Sequence, residues 1–147
     1  MENDGLSIVV TNALAEVARA TERVEAFCRD RGIPTRTVYH FVLALEEVLT
    51  NAVSYAFPDG GRHEIEVRIE FRDGDLTATV SDDGDPFDPL AQPSPDVHAA
   101  LADRKVGGLG IHLLRSLMDA AAYRRVDGRN HLTFRTRVDP SKPAAAT

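Results

Sequence analysis

Leu45-Glu46-Glu47-Val48-Leu49-Thr50-Asn51-Ala52-Val53 sets a carboxylate and a carboxamide four residues apart inside an apolar run. Four residues is about one helical turn, so Glu47 and Asn51 share a helix face. The apolar positions Val38, Phe41, Val42, Leu45, Val48, Leu49, Ala52 and Val53 cover more than one stripe, which predicts a central, substantially buried helix over residues 35–56. Polar groups on a buried helix must find partners or line a cleft. Asn supplies a neutral oxygen ligand and Glu a proton acceptor, so the pair suits a magnesium-bound phosphate beside a nucleophile. The alternatives are a helix-surface carboxylate for Glu47 and a local hydrogen bond for Asn51. At the reference pKa of about 4.3, Glu47 is ionised at neutral pH.

Working outward, residues 6–11 are rich in β-branched side chains and read as a strand. From Asn12, a plausible N-cap, Leu14, Val17, Ala18, Thr21, Val24 and Phe27-Cys28 recur at helical spacing, and Gly32 and Pro34 separate this helix from the next. Phe57-Pro58-Asp59-Gly60-Gly61 is a strong turn. Ile65, Val67, Ile69 and Phe71 then alternate with charged residues, Asp73-Gly74 turns the chain, and residues 76–80 return as a second strand. One face of that hairpin is expected on the helices and the other in water.

The second strand runs out into Ser81-Asp82-Asp83-Gly84-Asp85-Pro86-Phe87-Asp88-Pro89. Residues 90–106 lack periodicity and suit a lid over a site. They close with Lys105-Val106-Gly107-Gly108-Leu109-Gly110 before a helix over 111–119. Glycines at a helix start let backbone N–H groups approach an anion, although a Gly-rich loop alone is a weak signal and also fits a flexible turn. Residues 122–126 and 132–138 make a last hairpin about Asp127-Gly128-Arg129-Asn130, and 139–147 read as a disordered tail. Residues 1–138 are expected to form a single domain.

With 147 residues, 43% hydrophobic and 27% charged, the composition is that of a soluble globular protein able to bury a core. A net charge of -6 disfavours a nucleic-acid partner. The single cysteine, Cys28, excludes an internal disulfide and reads as a small core residue. His40 is expected to face solvent or make a hydrogen bond. No apolar run approaches membrane-spanning length and the acidic start is unlike a secretory signal, so the expected location is cytoplasmic, with no membrane partner.

Glu47-Val48-Leu49-Thr50-Asn51, Asp82-Asp83-Gly84 and Gly107-Gly108-Leu109-Gly110 stand in the order of the N, G1 and G2 boxes of the GHKL ATPases, which the chain resembles from 6 to 138. Thr50-Asn51-Ala52, the Pro86-Phe87-Asp88-Pro89 run and Gly107-Gly108-Leu109-Gly110-Ile111-His112-Leu113 look like the bacterial anti-sigma-factor serine/threonine kinases. That resemblance implies a Bergerat-type α/β two-layer sandwich, with helices on one face of a mixed, mostly antiparallel sheet. It also implies ATP and Mg²⁺ as cofactors. Carried over by position, Asn51 is the Mg²⁺ ligand, and Glu47 the catalytic acceptor of the substrate hydroxyl proton. Asp82 takes the adenine amino group and Gly84 permits close approach of the ring. Gly107, Gly108 and Gly110 line the phosphates with Lys105. Glu46, about 100° round the helix, turns away from Asn51.

Two departures stand out: Pro86 replaces the second glycine of the G1 box, removing a backbone donor, and Tyr55-Ala56-Phe57 stands where histidine-glycine-tyrosine often follows the N box. The resemblance implies a protein serine/threonine kinase of a partner-switching system. Such a kinase phosphorylates a STAS-domain anti-sigma-factor antagonist, sequesters a sigma factor, and forms a homodimer. A non-catalytic ATP/ADP-dependent binding switch is the alternative. A histidine-kinase catalytic domain comes third, since no helix pair bearing a phosphoacceptor histidine is present.

Overall fold

In the computed structural model, which describes residues 5–91 and 114–138, the chain runs β1 (Gly5–Thr11), α1 (Leu14–Asp30), α2 (Thr35–Tyr55), β2 (Glu64–Arg72), β3 (Asp75–Asp82), a 3₁₀ turn at Pro89–Ala91, β4 (Ala120–Val126) and β5 (Arg129–Arg137). Residues 114–117 are helical and lead into β4. The strands form one sheet in the order β1-β2-β3-β5-β4. All four ladders are antiparallel, the limit of the mostly antiparallel sheet expected.

Period-2 alternation decides which sheet face is dry. Ile65, Val67 and Ile69 of β2, Leu76, Ala78 and Val80 of β3, and Leu132 and Phe134 of β5 are buried, while Glu64, Arg68, Glu70 and Arg72 are exposed. Against the dry face lie Val17, Val24 and Phe27 of α1 and Val38, Phe41, Leu45 and Leu49 of α2, giving a two-layer α/β sandwich. Phe41 meets Phe134 across the layers with ring centroids 5.1 Å apart. Cys28 is fully buried and burial pushes its thiol pKa up to about 12, as suits a packed core residue. His40 is partly buried, and burial with the nearby Arg36 lowers its pKa.

Several local expectations change. Asn12 does not cap α1. Its side chain instead accepts from the His63 backbone N–H (2.8 Å) and donates to the Gly61 carbonyl (2.9 Å), tying the end of β1 to the start of β2. Glu16 accepts from the Thr11 N–H, two residues before the cap position Ala13, at 3.3 Å. Leu14 is 62% exposed, since the buried stripe of α1 begins at Val17. Asp119, expected within the last helix, lies past it: its N–H donates to the Arg135 carbonyl and its Oδ2 accepts from the Arg137 N–H.

The last hairpin is tighter than the four-residue turn expected. Asp127 (φ 53°) and Gly128 (φ 76°) alone make the turn, as Asp73 (φ 54°) and Gly74 (φ 84°) do between β2 and β3. Two consecutive positive φ values are what a two-residue loop needs to match strand twist. Arg129 and Asn130 are therefore strand residues, and Asn130 pairs directly with Asp82 across the β3–β5 ladder.

Candidate functional site

The carboxyl end of β3 lies between β2 and β5, with Ile65 on one side of Asp82 and Asn130 on the other. The C-terminal half of α2 crosses above. Between them opens a small, partly open cleft. Val48, Ala52, Val80, Phe87 and Leu132 form its apolar walls, and Asn51, Asp82, Tyr123 and Asn130 its polar points. Apolar walls with a few convergent polar groups suit an aromatic heterocycle. Asn51, Asp82 and Asn130 are each no more than 5% exposed, so their polar atoms are held by protein or meant for a ligand.

Asp82 is half satisfied in a directed way. Its Oδ1 accepts from the Gly84 N–H at 2.8 Å and from Asn130 Nδ2 at 2.9 Å, and both of its side-chain hydrogen bonds among the described residues fall on that oxygen. Asn130 is braced in turn. Its Oδ1 accepts from Tyr123 Oη (2.5 Å), Arg125 Nη1 (3.1 Å) and the Phe87 N–H (3.3 Å), and Nδ2 also donates to the Asp85 carbonyl (2.9 Å). Arg125 donates to the Gly84 carbonyl at 2.7 Å as well. Asp83, the next residue, is exposed and approaches His63 Nδ1 at 3.4 Å. His63 Nε2 lies 3.0 Å from Asp59, whose hydrogen bond raises the imidazole pKa, and the ring stacks on Phe57 at 4.4 Å.

Gly84 sits where no side chain fits. A Cβ there would stand 2.4 Å from the Ala56 carbonyl oxygen and 2.8 Å from the Ala56 Cβ, and that same carbonyl accepts from the Asp85 N–H at 2.8 Å. Close approach is thus required by the end of α2, and Ala56 is the residue that makes it. Because the obstacle is backbone, Gly84→Ala is expected to cost about 1–3 kcal/mol of stability. A thermal midpoint unchanged from wild type would contradict this packing.

Glu47 lies one turn before Asn51, and Glu46 is exposed, as the helical rotation requires. Glu47 Oε1 and Asn51 Nδ2 are buried with no hydrogen-bond partner. A local hydrogen bond does not account for Asn51, and an orphaned buried polar atom costs about 1–3 kcal/mol, which function can justify where packing does not. Burial, and secondarily the Glu46 charge, push the Glu47 pKa above its ordinary value, so the reference value assumed from sequence is too low. Glu47 Oε1 can accept from a hydroxyl donor, and the Asn51 carboxamide has an oxygen to offer a cation and an NH₂ to offer an acceptor such as phosphate; among the described residues no cluster of three or more His, Cys, Asp or Glu side chains occurs.

The structure therefore brings Asn51 and Asp82 to one cleft, packs Gly84 against Ala56 of its lining, and leaves Glu47, one turn before Asn51, outside that lining. Lys105, Gly107, Gly108 and Gly110 lie outside the described residues, as does most of the lid stretch. Pro86 is exposed, while Tyr55 meets the neighbouring Phe87 at 5.5 Å between ring centroids. Sequence reading missed Asn130, Tyr123 and Arg125. An Asp-Gly turn read as two residues would have placed Asn130 in a strand, but its pairing with Asp82 spans 48 positions.

A family model for the histidine kinase-like ATPase domain matches residues 10–136. The chain is 34% identical over 112 residues to the serine/threonine-protein kinase BtrW of Bordetella bronchiseptica, covering 76% of this chain and 78% of BtrW. It is 35% identical over 82 residues to the serine-protein kinase RsbW of Bacillus velezensis, covering 52% of this chain and about half (51%) of that protein. Among solved structures, the RsbU and RsbW domains of Rv1364c from Mycobacterium tuberculosis superpose with a TM-score of 0.62 at 17% identity, covering 92% of this chain and 33% of that one. The histidine kinase domain of the blue-light activated kinase from Erythrobacter litoralis gives 0.54 at 19% identity, over 90% of this chain and 63% of that one. These two likenesses concern the fold.

Proposed function

We propose, from the premise that the chain belongs to the histidine kinase-like ATPase domain family, that it is an ATP-dependent serine/threonine protein kinase of a partner-switching system. The observation that carries this reading is the convergence of buried Asn51 and Asp82 on one apolar cleft, with the unpartnered Glu47 one turn along the same helix. The protein substrate is a STAS-domain anti-sigma-factor antagonist, and the second partner a sigma factor released or captured according to the antagonist's phosphorylation. The kinase acts as a cytoplasmic homodimer. No helix among the described residues is long and apolar enough to cross a membrane.

When bound, ATP·Mg²⁺ supplies the transferable phosphoryl group and the charge neutralisation that phosphoryl transfer needs most. The chain's own residues do the rest. Asp82 accepts a hydrogen bond from the adenine amino group, and the apolar walls exclude water from the ring. Asn51 would hold the metal through its amide oxygen. Glu47, whose raised pKa makes it a stronger proton acceptor while still a carboxylate, takes the proton of the substrate hydroxyl. Lys105, Gly107, Gly108 and Gly110 are assigned to the phosphates by sequence resemblance alone.

The deciding experiment incubates the protein with ATP·Mg²⁺ and STAS-domain proteins of the same organism. Phosphoserine or phosphothreonine on one of them is expected. ATP binding with no phosphoprotein would overturn the kinase and leave a nucleotide-dependent binding switch.

A further inference from the structure

We infer that Asn130 is a positioning residue: it clamps the Asp82 carboxylate so that the cleft accepts a purine carrying a 6-amino group and rejects a 6-oxo purine. The inference rests on the reading of this cleft as the seat of the ATP base.

The orientation of the Asn130 amide is dictated by its neighbours. The Arg125 guanidinium and the Phe87 N–H can only donate, so the atom they meet is the carbonyl oxygen, and Tyr123 Oη donates to the same atom. The NH₂ group then faces two acceptors, Asp82 Oδ1 and the Asp85 carbonyl, each at 2.9 Å. Flipping the amide would set donors against donors at two contacts, Arg125 and Phe87, and acceptors against acceptors at two.

With its orientation set, Asn130 does two things to Asp82. Together with the Gly84 N–H it occupies Oδ1, which leaves Oδ2 as the acceptor offered to a ligand in the cleft. It also prevents the carboxylate from rotating. An ionised carboxylate accepts and cannot donate, so a fixed Oδ2 pairs with an amino group and meets a carbonyl with repulsion. A carboxylate free to turn, or to recruit water, would discriminate less. Asn130 is 5% exposed and both ends of its amide are engaged by protein groups, so it acts on the ligand through Asp82 and its effect falls on selectivity.

The test measures dissociation constants for ATP and inosine triphosphate, with magnesium, on the wild-type protein, Asn130→Ala and Tyr123→Phe, with thermal unfolding of each. Wild type is expected to prefer ATP by roughly 100-fold or more, as a site built to hydrogen-bond a ligand donor does. Asn130→Ala should reduce that preference at least about tenfold, and Tyr123→Phe, which removes one brace on Asn130 Oδ1, by about threefold. Equal weakening of both nucleotides, with the preference intact, would show that Asn130 only holds the fold and would overturn the inference while leaving the ATP site. Wild-type protein that fails to bind ATP would instead overturn the site reading, and this inference with it. Should Asn130→Ala not fold, an unchanged preference in Tyr123→Phe overturns the inference.

Discussion

Glu47→Gln is expected to slow phosphoryl transfer to the protein substrate by roughly 10²–10⁴-fold, the usual worth of a positioned general base. The same change should raise the stability of the protein at neutral pH. Glutamine keeps the shape and removes only the charge and the proton-accepting capacity. The Glu47 pKa in the folded chain lies above its ordinary value of 4.5 because burial, then Glu46, disfavour the charged form. The native state therefore holds this proton more tightly than the unfolded chain. The stability this gives is fully present below the unfolded pKa, and is lost as pH rises through the folded pKa. Glutamine is never charged, so the stability gap between variant and wild type should vanish near pH 4 and open in the variant's favour toward pH 7. Single-turnover kinetics and denaturation at the two pH values measure both halves. A rate within tenfold of wild type would mean that alignment and charge neutralisation suffice without this carboxylate.

Asp82→Asn is expected to weaken ATP binding by roughly 10²-fold and to erase or invert the preference over inosine triphosphate. The Gly84 N–H and Asn130 Nδ2 both demand an acceptor at the Oδ1 position. The new amide must therefore put its oxygen there and its NH₂ toward the ligand. A donor then faces the adenine amino group, with loss of a hydrogen bond to a charged acceptor worth about 1.5–3 kcal/mol, while the 6-oxo group of inosine gains a partner. Calorimetric titration of both nucleotides reads the outcome. Undiminished ATP affinity would reject Asp82 as the base acceptor.

The elements were legible in the sequence because their causes are local. The charged alternation of residues 64–72, the Asp73-Gly74 turn and the apolar surface of α2 each act within a few residues, and the structure has each in place. The same holds for Glu47 and Asn51, whose common face follows from helical pitch. Asn12 shows the limit. A cap and a cross-strand clamp use the same side-chain atoms, and only the arrival of the Gly61–His63 segment, 49 to 51 positions away, decides between them.

By itself the sequence determined two helices, two hairpins and a helix face bearing a carboxylate and an amide, since hydrophobic periodicity and turn stereochemistry are short-range. Tertiary structure alone decided that β5 rather than β4 lies beside β3, which sets Asn130 against Asp82 and points one carboxylate oxygen's bonds back into the protein. It also decided that Glu47 titrates above its ordinary value, because desolvation depends on what surrounds a group in space. Pitch and pattern are properties of neighbours along the chain, whereas register, burial and hydrogen-bond direction exist only once distant strands meet.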